Sequence, residues 1–117
     1  MVTSDFVLNK GLTNEFIITI KQQGSTEPML IDVSDTFTTK LYFLGTNKEA
    51  AANIVTTVES AIGGKLKIVF NDVDGLVSER GEKVDRYYLK PTYRLAIDCK
   101  TLNNGNFIAK LPNVYVE

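Results

Sequence analysis

The side chains whose spacing best suits ion binding are Asp72 and Asp74, which stand two residues apart before Gly75. Carboxylates alternating in this way occur in calcium loops, where oxygen ligands surround the ion. The EF-hand form needs a third oxygen ligand before its glycine and a glutamate further along, between two helices. Here the glycine follows the second aspartate, and neither flanking segment has a helical pattern. Because aspartate and glycine are also common in turns, we predict a turn, with a weak calcium site as the alternative.

Catalytic chemistry has few side chains to use in this sequence. The chain contains no histidine and a single cysteine, so a Ser–His–Asp triad, a Cys–His pair and a histidine metal ligand are excluded. Cys99 continues the alternating run of Tyr93, Leu95 and Ile97, a phase that predicts a small buried side chain. The fourteen acidic residues stand in predicted loops or at strand edges, whereas catalytic carboxylate pairs must face each other across a cleft. We therefore expect a protein that is not an enzyme and uses no cofactor.

Tyrosine is the residue type best suited to form a binding surface in this chain. Exposed tyrosines stack on sugars or anchor protein contacts, because they offer a large contact area at low entropic cost. Of the five tyrosines, Tyr93 shares the inward phase of its strand, and Tyr88 could also fill the core. Tyr42 and Tyr87 remain as candidates for an interaction surface. Sugar binding through them is the alternative function that the sequence leaves open.

The composition is typical of one globular domain covering residues 1–117, with 44% hydrophobic and 23% charged residues. A net charge of −1 provides no basic surface for nucleic acid or for an anionic membrane. The longest apolar runs, such as residues 41–44, are too short to cross a bilayer. The start of the chain has no secretion signal, so we expect synthesis and assembly in the cytoplasm.

Apolar and polar residues alternate in short segments along most of the chain, as in half-buried strands. Turn signals separate these segments at intervals of about 8–12 residues, which is typical of sandwiches. We predict an all-β fold, an Ig-like antiparallel β-sandwich of about seven strands. The side chains predicted to face its core are Phe16, Ile18, Ile20, Leu41, Phe43, Leu66, Ile68, Phe70, Leu95, Ile97 and Phe107.

Two early connections break this alternation. Residues 32–35, with the sequence Asp-Val-Ser-Asp, are predicted to form a polar corner with Ile31 and Val33 turned inward. Residues 47–53 favour helix by propensity, but so short a segment without caps makes a marginal helix. We therefore predict a single turn or a loop there.

The longest connection in the prediction covers residues 71–85. Its two apolar residues, Leu76 and Val77, are predicted to close one end of the core. Residues 78–83 are almost entirely charged or polar, so we predict a solvated surface loop.

The last part of the chain predicts a β-hairpin. Residues 88–99 alternate as one strand, residues 103–106 (Asn-Asn-Gly-Asn) suit a tight turn, and residues 107–111 return. This hairpin would complete the sandwich.

The segments also follow one another in a recognisable order. In sequence they are DFVLNKG (5–11), FIITI (16–20), IDVSD (31–35), TTKLY (38–42), GGKLKI (63–68), YRLAI (93–97), NG (104–105) and VYV (114–116). This order resembles the small Ig-like domain at the N-terminus of tailed-phage baseplate upper proteins and of related tail-fibre and virion proteins. The resemblance implies a non-enzymatic structural component of the phage tail, baseplate or head. It further implies other virion proteins as partners and location in the virion after assembly in the host cytoplasm.

A part of a virion works by repetition, so we also predict a homo-oligomer or an obligate partner. Residues 5–9 and 114–117 are predicted to be edges or flanks of the sandwich, and proteins either protect exposed edges or use them for pairing. Phe6, Val7 and Leu8 are consecutive apolar residues, so at least one must face outward from a strand. We predict an interaction surface there, unless the connection at residues 75–83 covers this segment.

Overall fold

The computed structural model describes residues 6–22, 24–83 and 86–117, with the backbone alone described for residues 79–83, 86–89 and 112. Within these residues the chain forms strands and no helix, so the all-β prediction is confirmed. The described part therefore contains no helix long and apolar enough to cross a membrane. The strands are β1 (Phe6–Leu8), β2 (Asn14–Thr19), β3 (Thr36–Phe43), β4 (Asn53–Ser60), β5 (Lys65–Asp72), β6 (Glu79–Lys83), β7 (Arg86–Lys90), β8 (Tyr93–Thr101) and β9 (Gly105–Val116).

Two main sheets pack face to face with the core between them. One has the strand order β1-β9-β8-β3, the other has the order β2-β5-β4, and β6 and β7 form a separate hairpin. All strand pairs are antiparallel except β1 and β9, which run parallel. The predicted sandwich is confirmed, but the description as wholly antiparallel is wrong at β1. The two main sheets together contain seven strands, as predicted, and the β6–β7 hairpin lies outside them.

The core consists of the inward faces of the two main sheets, as the alternation predicts. Of the eleven side chains predicted to face inward, three aromatic ones are only half-buried, namely Phe16, Phe43 and Phe107, although they pack against the core. The others are buried: Ile18, Ile20, Leu41, Leu66, Ile68, Phe70, Leu95 and Ile97.

The polar corner at residues 32–35 is held by its own side chains. The Asp32 N–H donates to the Asp35 carboxylate (2.8 Å), and the N–H and hydroxyl of Ser34 donate to Asp32 Oδ1. The hydroxyl and backbone bonds from Ser34 lower the pKa of Asp32. Ile31 is buried as predicted, but Val33 is 80% exposed, so its inward placement was wrong. The bonds that close the turn leave Val33 on the outside.

The next connection is a loop, as predicted for residues 47–53. The Ala50 N–H donates to the Leu41 carbonyl (2.8 Å), and Ala50 is buried in the core. This hydrogen bond holds the connection alongside β3, and the connection contains no helix.

The connection after β5 differs from the prediction. Leu76 is buried and closes one end of the core, whereas Val77 is 51% exposed. The predicted surface loop at residues 78–83 is mostly strand, because β6 pairs with β7 from Glu79 to Lys83. The sequence pattern did not indicate this strand, because most of its residues are charged. A hairpin outside the main sheets needs no apolar alternation.

The predicted terminal hairpin is present, formed by β8 and β9. Its first arm is shorter than predicted, because residues 91 and 92 separate β7 from β8. Pro91 has no N–H to donate to a ladder, which explains the break. β9 is not an edge strand, since it pairs with β1 at residues 114–116 and with β8 as far as Val114, so the predicted edge at residues 114–117 is wrong at Val114.

Tyr93 connects the start of β8 to the distant connection after β5. Its ring is buried, and its hydroxyl accepts a hydrogen bond from the Val77 N–H (2.7 Å). We expect Tyr93→Phe to lower the free energy of unfolding by about 1 kcal/mol, because the donor loses its partner while the ring still packs. Chemical denaturation measures this. The control Tyr115→Phe removes the same atom from a half-buried ring, and an equal loss there would contradict the role of the Tyr93 hydroxyl.

Candidate interaction surfaces

The predicted surface at the first strand is mostly core. Phe6 and Leu8 are 4% and 0% exposed, and the Phe6 ring meets Phe16 edge to face at 4.9 Å. These two side chains therefore cannot contact a partner in the folded chain, which corrects the prediction. Val7 is half-buried and is the member of the three that faces outward, because alternate side chains of β1 point to opposite sides.

The connection after β5 reaches the neighbourhood of β1. The Ser78 hydroxyl donates to the Val116 carbonyl on β9 (2.6 Å), beside the pairing of Leu8 with Val116. The Val116 carbonyl points away from β1, because the neighbouring Glu117 N–H donates to the Leu8 carbonyl (2.8 Å) on the β1 side, so this bond does not cover the first strand.

Tyr42 lies on β3 at the mouth of an open pocket. Its ring is half-buried, and the Arg94 guanidinium stacks on it with 4.3 Å between the guanidinium carbon and the ring centroid. Arg94 is held there by hydrogen bonds to the Thr46 carbonyl (3.2 and 2.8 Å) and to Asn47 Oδ1 (3.1 Å). One face of the Tyr42 ring is therefore already occupied by a cation.

The pocket beside Tyr42 has a volume of about 590 Å³. Lys110 and Arg94 line it together with polar groups of Thr46 and Asn47, and no carboxylate of the described residues contributes to the lining. Such a surface can donate hydrogen bonds to hydroxyl or anionic groups. Its described lining residues include no histidine, cysteine, aspartate or glutamate.

The predicted surface residues do not form one patch. Val7 and Tyr42 lie on β1 and β3, which are the opposite edges of the four-stranded sheet. Tyr87 lies on β7, where its backbone pairs with Glu82, and its side chain is outside the described residues.

Asp72 and Asp74 act as turn residues. Asp72 Oδ1 accepts a hydrogen bond from the Asp74 N–H (3.1 Å), and Asp74 Oδ1 accepts one from the Gly11 N–H (2.7 Å). The second bond ties the β5 turn to the turn between β1 and β2. Among the residues described, no three His, Cys, Asp or Glu side chains group closely enough to hold a metal ion.

Cys99 is fully buried, and desolvation raises the pKa of its thiol to about 11. We expect a thiol reagent at about pH 8 to label the native chain far more slowly than the unfolded chain, since the thiolate reacts and is scarce here. The raised pKa also lowers stability as pH rises from the ordinary thiol value towards 11, because only the unfolded thiol ionises in that window. Labelling with and without denaturant measures the first effect, and equal rates would contradict the burial.

Sequence reasoning missed an apolar surface at one end of the sandwich. The Leu102 N–H donates to the Asp35 carboxylate (2.9 Å), which joins the β8–β9 turn to the corner before β3. The Asn104 side-chain amide donates to the Leu30 carbonyl (2.9 Å). The three exposed apolar side chains on these joined segments, which we call the end patch, are Leu30, Val33 and Leu102, with exposures of 55%, 80% and 78%. No local pattern could indicate the end patch, because long-range contacts assemble it.

A groove between β2 and the first half of β9 was also missed. β2 pairs with β5 alone, and β9 pairs with β1 only at residues 114–116. The facing edges of β2 and of residues 107–111 enclose about 870 Å³. The alternation predicted both strands but could not indicate which edges stay open.

No family model, no curated protein and no solved structure matches this chain. A proposal for its function therefore rests on its own residues and on the order of its strands.

Proposed function

We propose that this chain is a non-enzymatic structural protein of a tailed-phage particle, in the tail, baseplate or head. It would act through contacts with other virion proteins. The observation that carries the contact role is the end patch, because large apolar side chains gathered on a protein surface mark sites of protein association. The phage assignment rests on the resemblance of segment order to the Ig-like domain of baseplate upper proteins.

The strand order supports the Ig-like part of this proposal. In chain order, β2, β3, β4, β5, β8 and β9 correspond to strands B to G of an Ig domain, whose sheets contain B-E-D and C-F-G. The observed neighbours β2-β5-β4 and β3-β8-β9 fit this order, with β6 and β7 inserted before strand F. Tyr93 fits as well, since a tyrosine near the start of strand F bonds to upstream backbone in many Ig domains.

Mass spectrometry of purified particles from a host carrying the gene tests the phage assignment. We expect the chain to remain with the particles through a density gradient, and genes for portal, tail-tube or baseplate proteins to flank its own. Particles free of the chain, or flanking genes for unrelated cellular proteins, would refute the assignment.

A paired substitution tests the contact role. We expect the double variant Val33→Ser and Leu102→Ser to keep the stability of the native chain, because both side chains are exposed. Its incorporation into particles should fall by about thirtyfold if each of the two side chains contributes about 1 kcal/mol to a contact. The control Ile17→Ser removes an exposed apolar side chain from the face of β2 (55% exposed). Equal incorporation of all three proteins would remove the end patch from the proposal.

A sugar-binding module is the second candidate function. The pocket beside Tyr42 favours it, since an aromatic ring stands next to several hydrogen-bond donors. Glycan-array binding that disappears in Tyr42→Ala would support this candidate, and the absence of binding to any glycan would reject it. The role predicted for Tyr87 can be tested in the same array with Tyr87→Ala.

A further inference from the structure

One edge of β2 carries backbone groups that point away from its sheet. The Ile20 N–H donates to the Gly64 carbonyl (2.8 Å), so the backbone groups of Ile20 point towards the β5 side. The other even-numbered residues of this segment direct their backbone groups to the same side. Alternate residues of a strand direct their N–H and C=O groups to opposite sides. The groups of Ile17 and Thr19 therefore point away from β5. Across the described ranges, no strand pairs with this side of β2.

The open edge lies beside apolar side chains that belong to the core or pack against it. Ile18 and Ile20 are buried on the β2 side of the groove, and Phe107, Ala109 and Leu111 are half-buried on the β9 side. At the neighbouring end of the sandwich β1 closes the gap, with Phe6 against Phe16. The groove runs between the facing edges of β2 and β9, so its shape suits an extended strand.

The rim of the groove is positively charged. Lys21 and Lys110 line it, and none of the described aspartates or glutamates does. In the described part of the chain the one ion pair joins Lys67 to Glu15, on the outer face of the β2-β5-β4 sheet. An incoming segment with acidic residues would complement the charge of the rim.

We propose that the groove binds an extended segment of another protein chain by strand addition to β2. The segment would bond its backbone to that of Thr19, place alternate apolar side chains against Phe107 and Leu111, and carry acidic residues towards Lys21 and Lys110. This is the mode in which main-chain bonds give affinity and pockets for alternate side chains give specificity. This inference rests on the proposed function, because it takes a protein as the ligand. It adds the surface to which that protein would bind.

A random peptide library displayed on yeast tests this binding, with inserts of about ten residues, enough to span the groove. We expect the purified chain to select peptides with alternating apolar residues and acidic ends. Thr19→Pro should bind these peptides at least about tenfold more weakly, because it removes the outward N–H that pairs with the segment. Thr19→Val keeps that N–H and should bind like the native chain. Thermal unfolding of both variants checks that the sandwich persists.

A charge variant provides a test that does not depend on proline. Lys21→Glu should weaken binding of the acidic peptides by at least about fivefold, whereas Lys100→Glu, on the exposed face of β8, should not. The proposal is overturned if no peptide is enriched, if Thr19→Pro and Lys21→Glu bind normally, or if binding requires removal of residues 1–5. The last result would assign the groove to the chain itself. Peptide binding is independent of the particle analysis, so either proposal can fail alone.

Discussion

Replacing Ile68 by aspartate is expected to abolish the folded state. Ile68 has no exposed surface and lies in the middle of β5, between β2 and β4, opposite Phe16 and Thr56. An unpaired carboxylate at this position costs several kcal/mol, which approaches the total stability of about 5–15 kcal/mol for a domain. We expect Ile68→Asp to be insoluble on expression, or to lack a cooperative unfolding transition when refolded.

The neighbouring residue supplies the control. Lys67 is on the outer face of the same strand, where its ammonium group pairs with Glu15 at 3.2 Å. Lys67→Asp loses this surface pair and should cost about 1 kcal/mol or less. A cooperative transition of Ile68→Asp near that of the native chain would contradict the burial of β5. Equal failure of both variants would contradict the assignment of its two faces.

A methyl group added at Gly64 is expected to cause the second large loss. Gly64 has a φ of +62°, and a Cβ there would lie 2.7 Å from the Met29 carbonyl oxygen and 2.9 Å from that of Ile20. The left-handed backbone costs alanine about 1–2 kcal/mol, and the backbone oxygens cannot move aside as side chains do. We expect Gly64→Ala to lower the free energy of unfolding by more than about 2 kcal/mol in chemical denaturation.

Gly105 separates the two causes of this loss. It has a similar φ of +72°, but no described atom lies within 4 Å of its Cβ position. Gly105→Ala should therefore show the backbone cost alone, about 1–2 kcal/mol. If both variants lost the same stability, the close approach of β2 and Met29 to Gly64 would be wrong.

The two sheets could be predicted from the sequence because their strands have one buried face. In β5, Leu66, Ile68 and Phe70 alternate with Lys67 and Val69, and the first three are fully buried. Since the side-chain period of a strand is two, this phase determines which residues enter the core. The same reasoning correctly placed Cys99 and Tyr93.

The remaining features depend on contacts between distant segments. β1 has only three residues, and no short turn connects it to β9. The local sequence therefore could not indicate that Phe6 pairs with Val114. Val33 is apolar like a core residue, yet the hydrogen bonds of its turn place it on the surface. The side of β2 that is unpaired among the described residues likewise depends on which strands become its neighbours. Alternation reports burial along one strand and gives no information on which strands become neighbours.

The parallel pair also sets the order in which this protein can fold during its synthesis. Phe6 and Leu8 enter the core only beside Val114 and Val116, which the ribosome adds long after them. Translation runs at about 5–20 residues per second, so the first strand waits for several seconds with apolar side chains unpaired. Until Val116 has been synthesised, the inward side chains of β1 have no complete β9 beside which to pack.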